Sequence, residues 1–136
     1  MDIVSPTPSF KKPLHLLSVH LAKHYSKIYD RGKFVGVSGA VGKTTAVEAS
    51  SAVLSQKYTT ISTKPNMDSF INIPNTLLRM NPSIRICILE MGIQNIGDSD
   101  FYLSLVKPKV IVVTKISIDP DTASEQVKLL EQLPED

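Results

Sequence analysis

The fold turns on Phe34-Val35-Gly36-Val37-Ser38-Gly39-Ala40-Val41-Gly42-Lys43-Thr44-Thr45 and the run Ala46 to Leu54 that follows it. A short apolar run enters a glycine-rich turn, and a helix-forming run leaves it. Strand, turn, Lys-Thr and helix in that order are the layout of a loop that cradles phosphate. Glycines let backbone N–H groups turn toward an anion without interference from a Cβ. The helix start adds unpaired N–H groups and the positive end of its dipole. Gly39, Ala40, Val41, Gly42, Lys43, Thr44 and Thr45 are therefore the candidate nucleotide-binding residues. Lys43 is placed to neutralise the terminal phosphates, and the Thr44 hydroxyl to meet Mg²⁺. The usual spacing asks for glycine at position 37, where this chain has Val37, with Gly36 one residue early. The core Gly39-x-x-Gly42-Lys43-Thr44 is intact. The alternative is a glycine-rich turn that binds nothing; the flanking strand and helix favour the phosphate reading.

Working outward, 136 residues suffice for one domain with a sizeable core. An apolar content of 42% with 21% charged residues is that of an ordinary globular protein. The net charge of +2 gives no reason to expect a nucleic-acid partner. Lys11, Lys12, Lys23, Lys27, Arg31 and Lys33 concentrate before the loop, read as a solvated helix face rather than a lipid or nucleic-acid patch. The single cysteine, Cys87, lies in an apolar run without a disulfide partner, which suits a reducing cytoplasm and a buried, non-catalytic thiol. No membrane span is expected. Leu14 to Ala22 is short and interrupted by His15, Ser18 and His20, and the start of the chain makes a poor signal sequence.

Periodicity divides the chain into residues 1–30, a proline-containing arm and a helix, and residues 31–136, the phosphate-loop domain. The arm covers residues 1–13. Leu14 to Tyr29 reads as a helix with Leu14, Leu17, Leu21, Tyr25 and Ile28 on its buried face. His20 and His24 have metal-ligand spacing but no nearby thiol or carboxylate, so they read as a packing or exposed pair. Strands are expected at Phe34–Val37, Tyr58–Ile61, Ile84–Leu89 and Val110–Val113, the last of a type buried on both faces. Helices are expected from Gly42 to about Gln56, from Pro74 to Met80, from a cap at Asp98 to Val106, and from a capping box at Thr122–Glu125 to Leu133. Strands alternating with helices give an α/β fold, a three-layer P-loop-type parallel sheet flanked by helices and preceded by an N-terminal helix. Ligands of such sheets gather at the carboxyl ends of the strands. The loop, Glu90 and Thr114-Lys115 all belong there.

Glu90 ends an apolar strand close to a phosphate loop, a position from which a carboxylate can hold Mg²⁺ directly or through water. The alternative is a strand-end residue facing solvent. Lys43 and Glu90 are the candidate catalytic pair, and Thr44 and Glu90 the candidate metal ligands.

With these residues assembled, the sequence resembles the central ATP-binding domain of the Mur ligases, which build the peptidoglycan stem peptide, and is most similar to the branch that adds D-alanyl-D-alanine. The likeness rests on the loop through Thr45 and Glu48, on Thr63-Lys64-Pro65-Asn66 and Ile73-Pro74-Asn75-Thr76-Leu77-Leu78, on Leu89-Glu90-Met91-Gly92 with Gly97, and on Lys107-Pro108 through Thr114. It implies ATP and Mg²⁺ as cofactors and transfer of the γ-phosphoryl group to a carboxylate of a cell-wall precursor. Attack by an amine would then give an amide. It also implies a C-terminal ligase domain, missing here or supplied separately. Residues 30–118 carry the likeness. Within them Asp68, Ser69 and Phe70 stand where the family has Asn-Asn-Glu, Asn72 where it has glycine, Lys115 where it has Asn and Pro120 where it has His. Asp68 is a candidate replacement ligand and Lys115 a candidate replacement cation. These losses leave open a non-catalytic nucleotide-binding module, and a third alternative is an unrelated P-loop kinase or hydrolase.

Overall fold

The computed structural model describes residues 12–133, so the arm expected over residues 1–13 lies almost wholly outside the described residues. The elements run in the expected alternation: α1 (Lys12–Ser26), a 3-10 turn (Arg31–Lys33), β1 (Phe34–Ser38), α2 (Lys43–Leu54), β2 (Thr60–Ser62), α3 (Ser69–Leu78), β3 (Ile86–Glu90), α4 (Asp98–Leu105), β4 (Val110–Val113) and α5 (Pro120–Glu131). The strands form one sheet in the order β2-β3-β1-β4, and every pair is parallel.

The alternation of side chains along β1 and β3 builds the three layers. Val37 and Ile88 point to one face and close over Val47 of α2, with Val35 and Ile86 beside them. Phe34, Cys87 and Leu89 point to the other face, into the main core with Ile73 and Leu77 of α3, Tyr102 and Leu105 of α4, Leu129 of α5 and Ala22 of α1. The chain leaves β1 through α2 toward β2 on one side, and leaves β3 through α4 toward β4 on the other. The crevice between the carboxyl ends of β1 and β3 is thus where connections part, the place such sheets reserve for ligands.

Five expectations change. α1 does not bury the leucine face: Leu14 and Ile28 are 70% and 73% exposed, while Ala22 and Ser26 are buried. Of the expected face Tyr25 does turn inward, its hydroxyl donating to the Met80 carbonyl, while the neighbouring Ser26 hydroxyl donates to the Leu105 carbonyl and draws the Ala22–Ser26 stripe into the core. Pro74 does not open α3. The helix starts five residues earlier because the Asp68 carboxylate accepts the Phe70 N–H at 2.9 Å, and Pro74 sits buried inside it. Asp98 does not cap α4. Gly97, at φ 97°, takes that position, and the Asp98 carboxylate turns back to accept the N–H groups of Gln94 and Asn95. α5 opens at Pro120 with Asp119 as its cap, which leaves Glu125 buried rather than in a capping box. β4 is an edge of the described sheet with Val110 and Val112 half-exposed, because α2 covers β1, β2 and β3 but not β4. Boundaries shift as well. Tyr58, for example, is held outside β2 because its N–H bonds the Leu54 carbonyl at the end of α2.

Buried Glu125 ties α5 to α4. It accepts the Ser99 N–H and the Lys128 ammonium, at 3.1 and 2.9 Å. Burial pushes its carboxyl up, but Lys128 and the donors at Ser99 outweigh that and hold it down at about 2.

Candidate functional site

Glycine is obligatory at position 39. Its φ of 138° suits no other residue well, and a Cβ there would lie 2.0 Å from the Thr114 hydroxyl oxygen. That hydroxyl occupies the space deliberately: it donates to the Val41 carbonyl at 2.6 Å. The Ala40 N–H donates to the Lys115 carbonyl at 2.8 Å. The loop is therefore pinned to the end of β4 from two sides. Gly42, at φ 83°, is the N-cap of α2 and provides no side-chain cap, so the first turn of α2 presents its N–H groups outward. An uncapped helix start at the carboxyl end of a parallel sheet is a ready anion site.

Three expected site residues come together. The Thr44 hydroxyl donates to Glu90 Oε1 at 2.7 Å, and the Lys43 ammonium donates to the Gly39 carbonyl at 2.9 Å, folded back over its own loop. Lys43 and Glu90 line one cavity of about 320 Å³ with Asp68, Gly92, Gln94 and Tyr102 among its walls. Glu90 is half-buried, so the carboxylate neither faces bulk water freely nor is sealed in the core. Its backbone is fixed by its neighbours. The Glu90 N–H donates to the Thr63 hydroxyl, and the Ser38 hydroxyl donates to the Met91 carbonyl. The pair Thr44–Glu90 offers hard oxygen donors of the kind Mg²⁺ accepts. Among the described residues no group of three or more His, Cys, Asp or Glu side chains could form an all-protein metal cage, His20 and His24 included. Those two rings stack edge-on, 4.5 Å between centroids.

The second corner of the cavity is built differently. Asp68 gives one oxygen to the cap of α3. The Ser69 hydroxyl accepts the Gly92 N–H at 3.1 Å. Asn72 is buried and clamps Lys64 by both backbone groups: its amide donates to the Lys64 carbonyl at 2.7 Å and its oxygen accepts the Lys64 N–H at 3.0 Å. Phe70 packs on Phe101 and Tyr102, and the Tyr102 hydroxyl donates to the Gly92 carbonyl. Lys115 is exposed, contributing its backbone rather than its charge to the loop.

The Mur ligase middle domain family model matches residues 37–120, more than half of the chain. The chain belongs to the Mur ligase family. Its relatives include the UDP-N-acetylmuramoyl-tripeptide–D-alanyl-D-alanine ligases of Borreliella burgdorferi, 33% identical over 85 residues, and of Bacillus subtilis, 36% identical over 84 residues. Each match covers 62% of this chain and 18% of the relative, so the chain spans about a fifth of the length of these ligases. Among solved structures, the MurF ligase of Thermotoga maritima in complex with ADP superposes over 90% of this chain and 30% of its own, with a TM-score of 0.78 at 22% identity. MurF of Acinetobacter baumannii gives 0.79 at 19% identity over 89% of this chain and 28% of its own. These likenesses establish the α/β fold.

Within this Mur ligase domain, Thr114 and Thr63 were placed near the ligand end or in a family block from sequence, but their bracing roles, and that of Ser38, were not. Each acts across the sheet, on a partner tens of residues away, and a lone Ser or Thr at a strand end carries no spacing signal. The Gly39–Thr114 fit is legible only once β1 and β4 are known to be neighbours.

Proposed function

We propose that this chain is the nucleotide-binding part of a Mur-type ATP-dependent amide ligase of peptidoglycan precursor synthesis. The observation that carries the reading is the Thr44–Glu90 hydrogen bond at 2.7 Å beside the Lys43 ammonium, at an uncapped helix start. The ADP in the Thermotoga relative supports the same choice of ligand. Lys43 would neutralise β- and γ-oxygens of ATP. Thr44 and Glu90 would hold Mg²⁺, which when bound spreads the negative charge that builds up on the transferred phosphoryl group. The γ-phosphoryl group passes to a precursor carboxylate, ADP leaves, and an amine attacks the acyl phosphate to release phosphate and form the amide. Alignment and charge neutralisation are what the domain supplies. The amine and the closure over nucleotide belong to a C-terminal ligase domain, in the same chain or a separate one. The setting is cytoplasmic, where ATP is available; among the described residues no helix is long and apolar enough to cross a membrane.

A second reading, a non-catalytic nucleotide-binding module, is favoured by one observation: Asp68, Ser69 and Asn72 are engaged in holding backbone rather than turned free into the cavity. ADP release measured with a cell-wall precursor and D-alanyl-D-alanine separates the two. With that C-terminal domain supplied, turnover dependent on both substrates supports the ligase, and tight ATP binding without turnover supports the module. Lys43→Ala is expected to weaken Mg-ATP binding by roughly 10- to 150-fold by calorimetry, since one charge-assisted phosphate contact contributes about 1.5–3 kcal/mol. Unchanged affinity in that variant would refute both readings.

A further inference from the structure

A hollow of about 430 Å³ is at the opposite end of the sheet from the phosphate loop. Phe34, the first residue of β1, forms part of its wall, while the loop follows the last residue of that strand. Lys23 from the end of α1, Lys27 just after it, Arg31 from the 3-10 turn and Lys107 from the segment after α4 line it, and among the described residues no Asp or Glu does. The ion pairs found among the described residues belong to Lys128, with Glu125 and Asp100, so these cations have no carboxylate partner there. Helix carbonyls explain only part of the convergence. Lys107 O accepts the Arg31 Nε–H at 3.0 Å, which fixes the guanidinium and leaves its terminal nitrogens without a hydrogen bond among the described residues. Leu105 O is already taken by the Ser26 hydroxyl.

Like charges gathered over a concave apolar wall reinforce one another's field and concentrate anions there. A guanidinium held by one nitrogen with its outer edge open is preorganised for the two oxygens of a phosphoryl group. We propose that this hollow is a second anion site, which binds a multivalent phosphate-bearing ligand independently of the phosphate loop. That ligand is either a soluble phosphate ester or the headgroup of an anionic lipid. The inference does not rest on the ligase reading, since it uses none of the same residues.

Inorganic pyrophosphate is a suitable probe, titrated by amide NMR into Lys43→Ala, which weakens the loop. The expected result is saturable shifts at Ser26–Arg31 and Leu103–Lys107, weakened at least about tenfold when Lys27→Gln and Arg31→Gln are added. Shifts confined to Gly39–Thr45 in the wild type, with none in Lys43→Ala, would overturn the proposal. So would binding indifferent to the two added substitutions. Lys27→Gln alone, at an exposed position on the rim of the hollow, guards against a folding defect. Sedimentation with phosphatidylcholine vesicles containing phosphatidylglycerol names the source. Co-sedimentation lost in the double substitution assigns a lipid headgroup; pyrophosphate binding without it assigns a soluble ester; failure of both arms sinks the site.

Discussion

The two corners of the loop-side cavity are made from similar residue types and differ in what those residues are attached to. At the loop corner, Lys43, Thr44 and Glu90 bond one another or their own loop, through contacts that a ligand can exchange. At the other corner, Asp68, Ser69 and Asn72 bond backbone groups of α3, Gly92 and Lys64, contacts whose loss would leave buried or helix-end groups unsatisfied. A polar side chain is available to a ligand only when the fold does not need it. By that measure the first corner is poised for binding, and the second has become scaffold. Asn72, where the resemblance implies a glycine, forms the clamp on Lys64, so the stretch expected to depart from the family pattern is the one whose side chains are tied up.

Substitutions can break this contrast. The largest effect is expected at Gly39→Ala, which sets a methyl group 2.0 Å from the Thr114 hydroxyl oxygen on a backbone unsuited to it. Thermal melts should show a loss of roughly 3 kcal/mol, with nucleotide binding gone. Adding Thr114→Gly should restore part of the stability, because it removes the 2.0 Å contact and leaves the strained φ and the 3.0 Å approaches to the backbone nitrogens of residues 114 and 115. No rescue would mean that the loop is not braced by β4. Next, Asn72→Ala removes both bonds to Lys64 at a buried position and should cost about 2 kcal/mol, with ATP affinity unchanged in the molecules that remain folded. A large affinity loss at full stability would move Asn72 from scaffold to site.

Glu90→Gln tests the poised corner more gently. The amide keeps the shape and a partner for Thr44 but loses the charge. Binding in Mg²⁺ should weaken by about tenfold and binding in metal-free buffer much less. Calorimetry with and without the ion reads the difference directly, and equal losses would detach Glu90 from the metal.

The contrast also shows what a sequence can carry. The turn and helix start of the loop are local, so the shape of Gly39 through Thr45 could be read from spacing, and the parallel sheet from the alternation of β-branched and helix-forming runs. Glu90 was legible because a carboxylate at the end of an apolar strand demands a reason. Three kinds of feature escaped. The expected stripe of α1 kept Tyr25 but lost its leucines, because Ser26 beside it is drawn in by a hydroxyl bond to the distant Leu105 carbonyl. Competition between neighbouring caps went to Asp68, Gly97 and Asp119 rather than to the neighbours that spacing alone suggested. The exposure of β4 reflects the placement of α2, which no residue of β4 encodes.

The smallest expected effect is the most discriminating. Asp68 lines the cavity with Lys43 and Glu90, and by position it is the candidate to replace a lost family ligand. Its Oδ1, however, accepts the Phe70 N–H, and an N-cap is worth about 1 kcal/mol. If the cap is its whole role, Asp68→Ala should lower stability by about that amount and Asp68→Ser, which still caps, by much less. Both should bind Mg-ATP as the wild type does. If Asp68 serves the ligand through its other oxygen, Asp68→Ser should keep the melt and lose affinity, since a serine hydroxyl caps a helix but carries no charge to offer a cation. Calorimetry and a melt on that one variant decide which corner Asp68 belongs to.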